Sequence, residues 1–318
     1  MKAAQIESPG AEPRLIERPA PTRGSGDVLV QIKAAALNFA DLLKAEGRYQ
    51  ESEPFPFTPG LEGAGTVVAA PENSGLTPGM RVAVNYPGTL AQQMVAPVTA
   101  CVPIPDTISF EQAAGFQIAY GTSHLALTLR GDLRAGETLA VLGAAGGVGL
   151  TAVQIGAAMG ARVIGVARGA DRLDAVRQAG AHEVIDSATC DDLKTALRDL
   201  GGVDVVYDPV GDAPGLAAFG ALRPGGRHLV IGFAGGKPSA IPLNHALVKN
   251  IAIHGFYWGG YRKLDPAALR ASLTELFAMA ADGRLPPLAQ ETLPFDQVAQ
   301  GFARLRGRAS TGKVVITL

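Results

Sequence analysis

Residues 138–149 read TLAVLGAAGGVG, and this stretch decides the fold. Four of its first five residues are apolar and fit a buried strand, and a mostly apolar run of helical length follows the glycines as far as Met159. Gly146 lets a ligand phosphate approach the backbone, and Gly149 lets the helix pack closely on its strand. A helix N-terminus also offers amide donors and positive potential to an anion. We therefore predict a turn that binds the pyrophosphate of a dinucleotide, with contacts from Ala145, Gly146, Gly147 and Val148.

Strands and helices alternate after this turn as far as Phe256. The predicted strands cover residues 138–142, 162–167, 183–185, 203–207, 227–231 and 250–255, and the predicted helices cover 148–159, 171–178, 191–200 and 214–222. Short apolar strands between helices are typical of a parallel, doubly wound sheet. We therefore predict an α/β nucleotide-binding domain over residues 119–256. Because dinucleotides bind at the carboxyl ends of such strands, the nicotinamide end should lie near Thr122, Gly211, Gly232, Phe233 and Ala234.

The two flanks of this domain have a different pattern. Short β-like runs bounded by Pro and Gly, such as residues 28–34, 63–69 and 81–85, predict a mostly antiparallel barrel or sandwich before residue 119. Helices at 266–281 and 295–305 precede a final strand at 313–318, which can rejoin the sheet of the first domain. The first domain would then comprise residues 1–118 and 257–318.

The end of the second strand of the nucleotide domain indicates which cofactor is bound. NAD-binding sites normally place an acidic residue there to hold the ribose 2′-hydroxyl. This chain instead has Arg168 and Arg172, and Asp171 between them fits a helix N-cap. A charge-assisted hydrogen bond contributes about 1.5–3 kcal/mol, so one guanidinium contact would favour a 2′-phosphate by roughly tenfold or more. The sequence therefore predicts NADPH.

Several further motifs together resemble one family. They are Asn38–Asp41 with Gly47–Tyr49, the segment 59–65, Ala144–Gly149 with Gln154, the segments 203–211 and 247–258, and the terminal 311–315. Over essentially its full length the chain resembles the zeta-crystallin-like quinone oxidoreductase branch of the medium-chain dehydrogenase/reductase superfamily. The resemblance implies a GroES-like, mostly-β catalytic domain and a Rossmann domain, with the substrate in the cleft between them. Lys313 of the terminal motif is expected to contact the cofactor.

The resemblance also predicts that no metal is bound. Zinc alcohol dehydrogenases of the superfamily carry Cys at the position matching Asn38, His at the position matching Leu61, and a further Cys near Ala114. Leucine and alanine cannot bind zinc, and an asparagine is a poor ligand. The only cysteines, Cys101 and Cys190, form no CxxC motif, and the five histidines are scattered. We therefore expect a zinc-independent enzyme.

Without a metal, the expected chemistry is hydride transfer to a conjugated carbonyl compound, because conjugation spreads the arriving charge. Tyr49 matches the tyrosine that donates a proton in enoyl reductases of the superfamily, although it could instead pack a domain interface. Asn38 can orient the acceptor carbonyl or the nicotinamide ribose, or it can have a purely structural role in the turn. Asp41 is expected to brace this turn, and Glu62 to be a structural partner.

Three functions remain open at this point. The preferred one is an NADPH-dependent quinone reductase, and the alternative enzyme is an enoyl- or acrylyl-thioester reductase. A third possibility is an NADPH-binding protein with an RNA-binding or structural role, but a net charge of −1 without a basic stripe disfavours nucleic acid. Few cysteines and no apolar leader or long apolar run predict a cytoplasmic protein without a membrane partner. The resemblance implies a homodimer joined near residues 241–253.

Overall fold

The computed structural model describes residues 1–51, 53–307 and 312–318. The chain forms two compact units. The first comprises Met1–Ile118 and Arg262–Leu318, and the second comprises Ala119–Tyr261. The division expected from the sequence places the return to the first unit at residue 257. Thr311 of the terminal motif lies outside the described residues.

The described residues form strands, α-helices and a few short segments of other helical types. The strands are β1 (Lys2–Gln5), β2 (Arg14–Glu17), β3 (Asp27–Leu37), β4 (Glu62–Ala69), β5 (Arg81–Val84), β6 (Gln93–Pro97), β7 (Cys101–Pro103), β8 (Thr138–Leu142), β9 (Arg162–Ala167), β10 (Glu183–Asp186), β11 (Val203–Asp208), β12 (Leu222–Val230), β13 (Ala252–Gly255), β14 (Gln290–Pro294) and β15 (Lys313–Thr317). The α-helices are α1 (Phe39–Ala45), α2 (Phe110–Ala114), α3 (Gln117–Leu125), α4 (Gly147–Ala158), α5 (Ala170–Gln178), α6 (Leu193–Asp199), α7 (Asp212–Ala221), α8 (Leu243–Lys249), α9 (Tyr261–Leu264), α10 (Pro266–Ala281) and α11 (Val298–Arg306). Short 3-10 segments occur at Glu72–Ser74, Val98–Ala100, Trp258–Gly260 and Phe295–Gln297, and a π-helical turn at Ala126–Arg130 follows α3.

The second unit contains a six-stranded parallel sheet in the order β10-β9-β8-β11-β12-β13. All five residues of β8 are buried, as expected for a central strand covered on both faces. Helices α4 to α8 connect the strands, and apolar residues of α6, α7 and α8 pack with those of the sheet into a core. The predicted parallel, doubly wound sheet is confirmed.

The first unit is built on a mostly antiparallel sheet that includes the C-terminal strand β15, and only β14 and β15 pair in parallel among the described strands of this sheet. Its strand order is β14-β15-β3-β4-β5-β7, and β6 also pairs with β3. β15 runs antiparallel to β3, with Val314 opposite Leu37 and Thr317 opposite Ala34. The prediction that the last strand rejoins the first sheet is therefore confirmed. A side chain at Gly65 would overlap the backbone of Gln31, so β3 and β4 approach closely only because this residue is glycine.

The structure also contains elements that the sequence patterns did not reveal. Residues 38–41, expected as a turn, form the start of helix α1. Helix α8 was missed because three of its apolar residues, Leu243, Leu247 and Val248, are exposed and follow no buried stripe. Strand β14 was missed because only Leu293 of its five residues is buried, so no alternation marks it.

Among the described residues, none of the helices combines the length and the apolar character that a membrane span requires.

Candidate active site

The turn after β8 has the geometry expected of a phosphate-binding loop. Gly143 has a φ of +56°, and a side chain at Gly149 would overlap its carbonyl, with a Cβ only 2.8 Å from the Gly143 carbonyl carbon. This overlap confirms that close packing of the helix on its strand requires glycine at position 149. Gly146 caps α4, and both Gly146 and Gly147 are exposed. Because the first amides of a helix have no partner within it, those of α4 can donate to an anion.

Arg168 and Arg172 lie where the sequence placed them, one after β9 and one in the first turn of α5. Both side chains are exposed, and neither guanidinium forms a hydrogen bond or ion pair within the described parts of the chain. The expectation that Asp171 caps this helix is wrong. The cap is Gly169, whose φ of +89° favours glycine, and Asp171 lies inside the first turn.

Asp186, at the end of β10, holds the loop that carries Arg168. Its carboxylate accepts hydrogen bonds from the amides of Gly169 at 3.0 Å and Ala188 at 2.8 Å. These bonds, with a smaller contribution from Arg168, lower the pKa of Asp186. The sequence did not reveal this residue, because the contact with Gly169 joins positions 17 apart in the chain.

The structure brings Gly211 together with Gly232, Phe233 and Ala234. The amide of Ala234 donates to the Pro209 carbonyl at 3.0 Å, so the loops after β11 and β12 are bonded to each other. A Cβ at Gly211 would lie 3.1 Å from the Phe233 ring. Thr122 belongs to α3, whose Ser123 hydroxyl donates to the Val148 carbonyl at 2.9 Å. Apart from Arg172, which lies in the first turn of α5, the predicted cofactor residues of this unit thus lie at a strand end, in the turn at the start of α4 or in α3 beside it. Their contact with a cofactor stays a prediction.

Asp208 and His228 form a buried brace beneath these loops. One carboxylate oxygen of Asp208 accepts from the amides of Val210 at 2.9 Å and Gly211 at 2.7 Å, and the other lies 3.1 Å from Nε2 of His228. Both side chains are almost fully buried. His228 is a strand histidine, as expected, but its link to Asp208 across the sheet was not foreseen.

In the first unit, the side chains of Asn38, Glu62 and Lys313 and the backbone amide of Ile118 form one polar network, in which Glu62 and Lys313 are buried. Nζ of Lys313 donates to Oδ1 of Asn38 at 2.7 Å and to Oε1 of Glu62 at 2.6 Å. Nδ2 of Asn38 also donates to Oε1 of Glu62 at 2.9 Å, and the other oxygen of Glu62 accepts the Ile118 amide at 2.8 Å. The Asn38 amide is therefore fixed at both ends, which leaves one of its N–H groups to donate elsewhere.

Asp41 braces the start of α1, as predicted. Its two oxygens accept the amides of Asn38 at 2.8 Å and Gly60 at 3.1 Å. The side chain is 1% exposed, and burial raises its pKa to about 7 despite these hydrogen bonds and the nearby Lys313 ammonium. A direct part for Asp41 in catalysis stays a prediction, as does a direct contact of Lys313 with the cofactor.

Tyr49 is half-buried in the segment that follows α1. Two ion pairs hold this segment: Lys44 with Glu53, and Arg262 with Glu51 at 3.1 Å. Arg262 also donates to the Asn85 side chain at 3.3 Å. The segment that carries Tyr49 is thereby fixed within its own unit, although nothing in the sequence pattern indicated these ion pairs.

The positions that correspond to zinc ligands hold no suitable set of donors. Leu61 and Ala114 are buried apolar residues, and Asn38 is bonded to Lys313 and Glu62. Over the three described segments of the chain, no group of three or more His, Cys, Asp or Glu side chains is arranged to hold a metal ion.

Comparisons with known proteins match both units. Residues 24–106 match the family model described as alcohol dehydrogenase GroES-like domain, and residues 147–276 match the one described as zinc-binding dehydrogenase. A quinone oxidoreductase-like protein 2 homolog of Nematostella vectensis is 36% identical over 301 residues, covering 92% of this chain and 82% of the relative. Quinone oxidoreductase-like protein 2 of Bos taurus is 34% identical over 299 residues, covering 92% and 85%.

Among solved structures, the quinone oxidoreductase of Thermus thermophilus, solved also in complex with NADPH, is similar along the whole of both chains. Its TM-score is 0.87 and its sequence is 32% identical.

Proposed function

Because the chain belongs to the quinone oxidoreductase branch of the medium-chain dehydrogenase/reductase superfamily, we propose that it uses NADPH, without zinc, to reduce quinones or related conjugated carbonyl compounds. It is an oxidoreductase with a GroES-like domain, a Rossmann sheet and a nicotinamide cofactor. The preference for NADPH, the absence of zinc and the acceptor class are the proposal. One observation carries it: at the superfamily's metal positions, Leu61 and Ala114 are buried apolar residues, and Asn38 is bonded to Glu62 and to the buried Lys313 ammonium.

The second unit fits a dinucleotide. The exposed glycines at the start of α4 leave amides for the pyrophosphate, and the paired loops after β11 and β12 leave Gly211 and Phe233 for the nicotinamide end. When bound, the reduced nicotinamide supplies a hydride.

The preference for NADPH rests on Arg168 and Arg172. Neither guanidinium forms a hydrogen bond or an ion pair within the described residues, so both are available to a 2′-phosphate, and no acidic side chain ends β9. Replacing both (Arg168→Gln with Arg172→Gln) should weaken NADPH binding by roughly tenfold or more and leave NADH binding nearly unchanged.

Calorimetry with both cofactors would measure this difference. Arg177→Gln is the matched control, because Arg177 is exposed on the same helix but is already paired with Asp174. Equal affinity of the unaltered protein for NADH and NADPH would contradict the cofactor assignment.

The acceptor class follows from the network around Asn38. Oxidising a saturated alcohol requires a Lewis acid or a strong base at the carbinol oxygen. Here the Glu62 carboxylate is paired with the Lys313 ammonium. The Asn38 side chain donates one N–H to Glu62, so it has one N–H left to donate to an acceptor. A single oriented donor suits a quinone or an enone. Conjugation spreads the negative charge that arrives with the hydride, so the carbonyl oxygen of the acceptor carries only part of it. In this proposal, Asn38 orients the acceptor oxygen. Tyr49 donates the proton to the enolate formed from an enone or enoyl thioester, whereas a quinone product takes its protons from water.

Oxidation of NADPH measured against a panel of acceptors tests this assignment. The panel contains a benzoquinone, a naphthoquinone, an enone, an enoyl-CoA and a saturated aldehyde, each with and without chelator. We expect the conjugated acceptors to be reduced at rates that the chelator leaves unchanged, and the aldehyde to be inert. Turnover of saturated alcohols or aldehydes that zinc restores after chelation would overturn the proposal.

We also propose that two copies of the chain associate through β13. This strand lies at the open edge of the parallel sheet, and Leu243, Leu247 and Val248 on the preceding helix α8 are each more than 70% exposed. An unpaired strand edge beside exposed apolar residues favours pairing with a second copy.

A further inference from the structure

A small cavity in the second unit is lined by basic side chains. Its volume is about 160 Å³, and it lies between α6, the end of α7 and α8. The basic residues are Lys194, Arg198, His245 and Lys249, and Phe219 and Val248 add apolar walls. The lining contains no acidic residue among the described parts of the chain, and none of it belongs to the turn after β8 or the loop after β9.

Three of the cations converge on the end of α7 and on Leu222, the first residue of β12. Nζ of Lys249 donates to the carbonyl of Leu222 at 2.7 Å and to that of Gly220 at 3.3 Å. Nη2 of Arg198 donates to the same Gly220 carbonyl at 2.9 Å. The side chain of Lys194 passes beside Gly220, with its Cε 3.1 Å from where a Cβ of that residue would lie.

Capping of α7 explains only part of this arrangement. A cation near a helix C-terminus satisfies free carbonyls, and Lys249 does so here. Arg198 duplicates that contact on one carbonyl, and the Lys194 ammonium has no hydrogen bond or ion pair within the described segments. Burial and the charges of Arg198 and Lys194 together lower the pKa of Lys249, as expected for like charges placed together.

Asp192 is an acidic residue whose charge interacts with this cluster, through Lys194. Its carboxylate accepts hydrogen bonds from the amide of Thr195 at 3.0 Å and the hydroxyl of Thr195 at 2.6 Å, at the start of α6. Asp192 is therefore engaged as the cap of its own helix and does not line the cavity. The cluster contains more positive charge than the described residues around it neutralise.

We propose that this cavity binds the phosphate group of a small molecule, at a site separate from the nucleotide-binding loops. A guanidinium and two ammonium groups supply the donors that phosphate oxygens prefer. A volume of about 160 Å³ exceeds the roughly 30 Å³ share of a water molecule several-fold, so it admits a phosphate with a small substituent. Free phosphate and a phosphate ester offer the same chemistry, and the experiment distinguishes them.

Calorimetry on the full chain, saturated with NADPH and at low ionic strength, tests the site. The titrants are inorganic phosphate, pyrophosphate and phenyl phosphate. We expect saturable binding of one equivalent per chain. A preference for phenyl phosphate assigns the site to phosphorylated organic molecules, and a preference for inorganic phosphate or pyrophosphate assigns it to the free ions.

Two variants of the pocket make the test specific. Lys194→Gln removes a charge that forms no hydrogen bond or ion pair in the described structure, so the protein should fold and bind phosphate at least about threefold more weakly. Combining it with Lys249→Gln should weaken binding at least about tenfold. The combined Arg168→Gln and Arg172→Gln protein is the control and should bind as the unaltered protein does.

Four results would overturn the site, three of them in the binding of small phosphates. They are the absence of saturable binding by every titrant, equal weakening in the control, and equal binding by Lys194→Gln and the unaltered protein. Binding of RNA but of none of the small phosphates would also overturn it, because the cavity would then be part of a wider surface.

Discussion

At the scale of single residues, substitution of Tyr49 distinguishes a quinone reductase from an enoyl-thioester reductase. A thioester reductase needs a proton donor at the enolate, so Tyr49→Phe should lower its turnover by about 10²–10³. A quinone product takes its protons from water, so quinone reduction should change by less than about threefold. We expect the smaller effect, measured as kcat with a naphthoquinone. Tyr86→Phe is the control, because Tyr86 is an exposed tyrosine of the same unit. A hundredfold loss with every acceptor would favour the thioester reductase.

Asp41 should make stability depend on pH. Burial raises its pKa from 3.8 to about 7, so the folded protein binds this proton more tightly than the unfolded chain does. Its contribution to stability is therefore fully present below about pH 4 and is lost as the pH rises through 7. In Asp41→Asn, the fall in the free energy of unfolding between about pH 5 and pH 8 should become smaller.

Denaturant titrations at several pH values measure that slope. The comparison uses slopes because the Asp41→Asn substitution also removes an acceptor for one of the two amides, which lowers stability at every pH. The exposed Asp296→Asn serves as the control and should keep the slope of the unaltered protein. An unchanged slope in Asp41→Asn would show that this carboxyl is not the group responsible.

At the scale of elements, two neighbouring glycines of α4 should respond differently to substitution. A Cβ at Gly149 overlaps the Gly143 carbonyl, whereas a Cβ at Gly147 meets no atom within 4 Å. Gly149→Ala should therefore destabilise the protein by about 1–3 kcal/mol through overpacking. Gly147→Ala should leave stability unchanged or raise it slightly, because alanine favours the helix. Chemical unfolding without cofactor gives both values, and equal effects would refute the close packing of α4.

Strand β9 and helix α10 show how much of an element can be predicted from local sequence. The predicted bounds of β9 and α10 match those observed, because the apolar run of β9 is continuous and Asp265 and Pro266 mark the start of α10. By contrast, Asp186 and His228 act through contacts with other parts of the sheet. Such contacts depend on strand order, which local patterns do not specify, so neither residue could be identified as a support of the site.

At the scale of the whole molecule, the network in the first unit depends on the path of the chain. Lys313 meets Asn38 across 275 residues, because β15 returns to pair with β3. The resemblance indicated that both residues matter, and the pattern placed the final strand in the first sheet. The sequence could not show that the Lys313 ammonium would be used by Asn38 and Glu62, since that outcome depends on side-chain geometry within the folded sheet.

Assembly is the property of the whole molecule that the structure makes easiest to test. If two copies join along β13, α8 lies near the contact, and a charge at Leu247 must be buried against apolar groups when they associate. Light scattering should therefore give a dimer for the unaltered protein and a monomer for Leu247→Asp. Leu129→Asp should remain dimeric, because Leu129 is an exposed leucine of the same unit but lies on the turn after α3. A monomeric unaltered protein would contradict the proposed association of two copies. Dissociation of the dimer by both substitutions would show that the interface is not specific to α8 and β13.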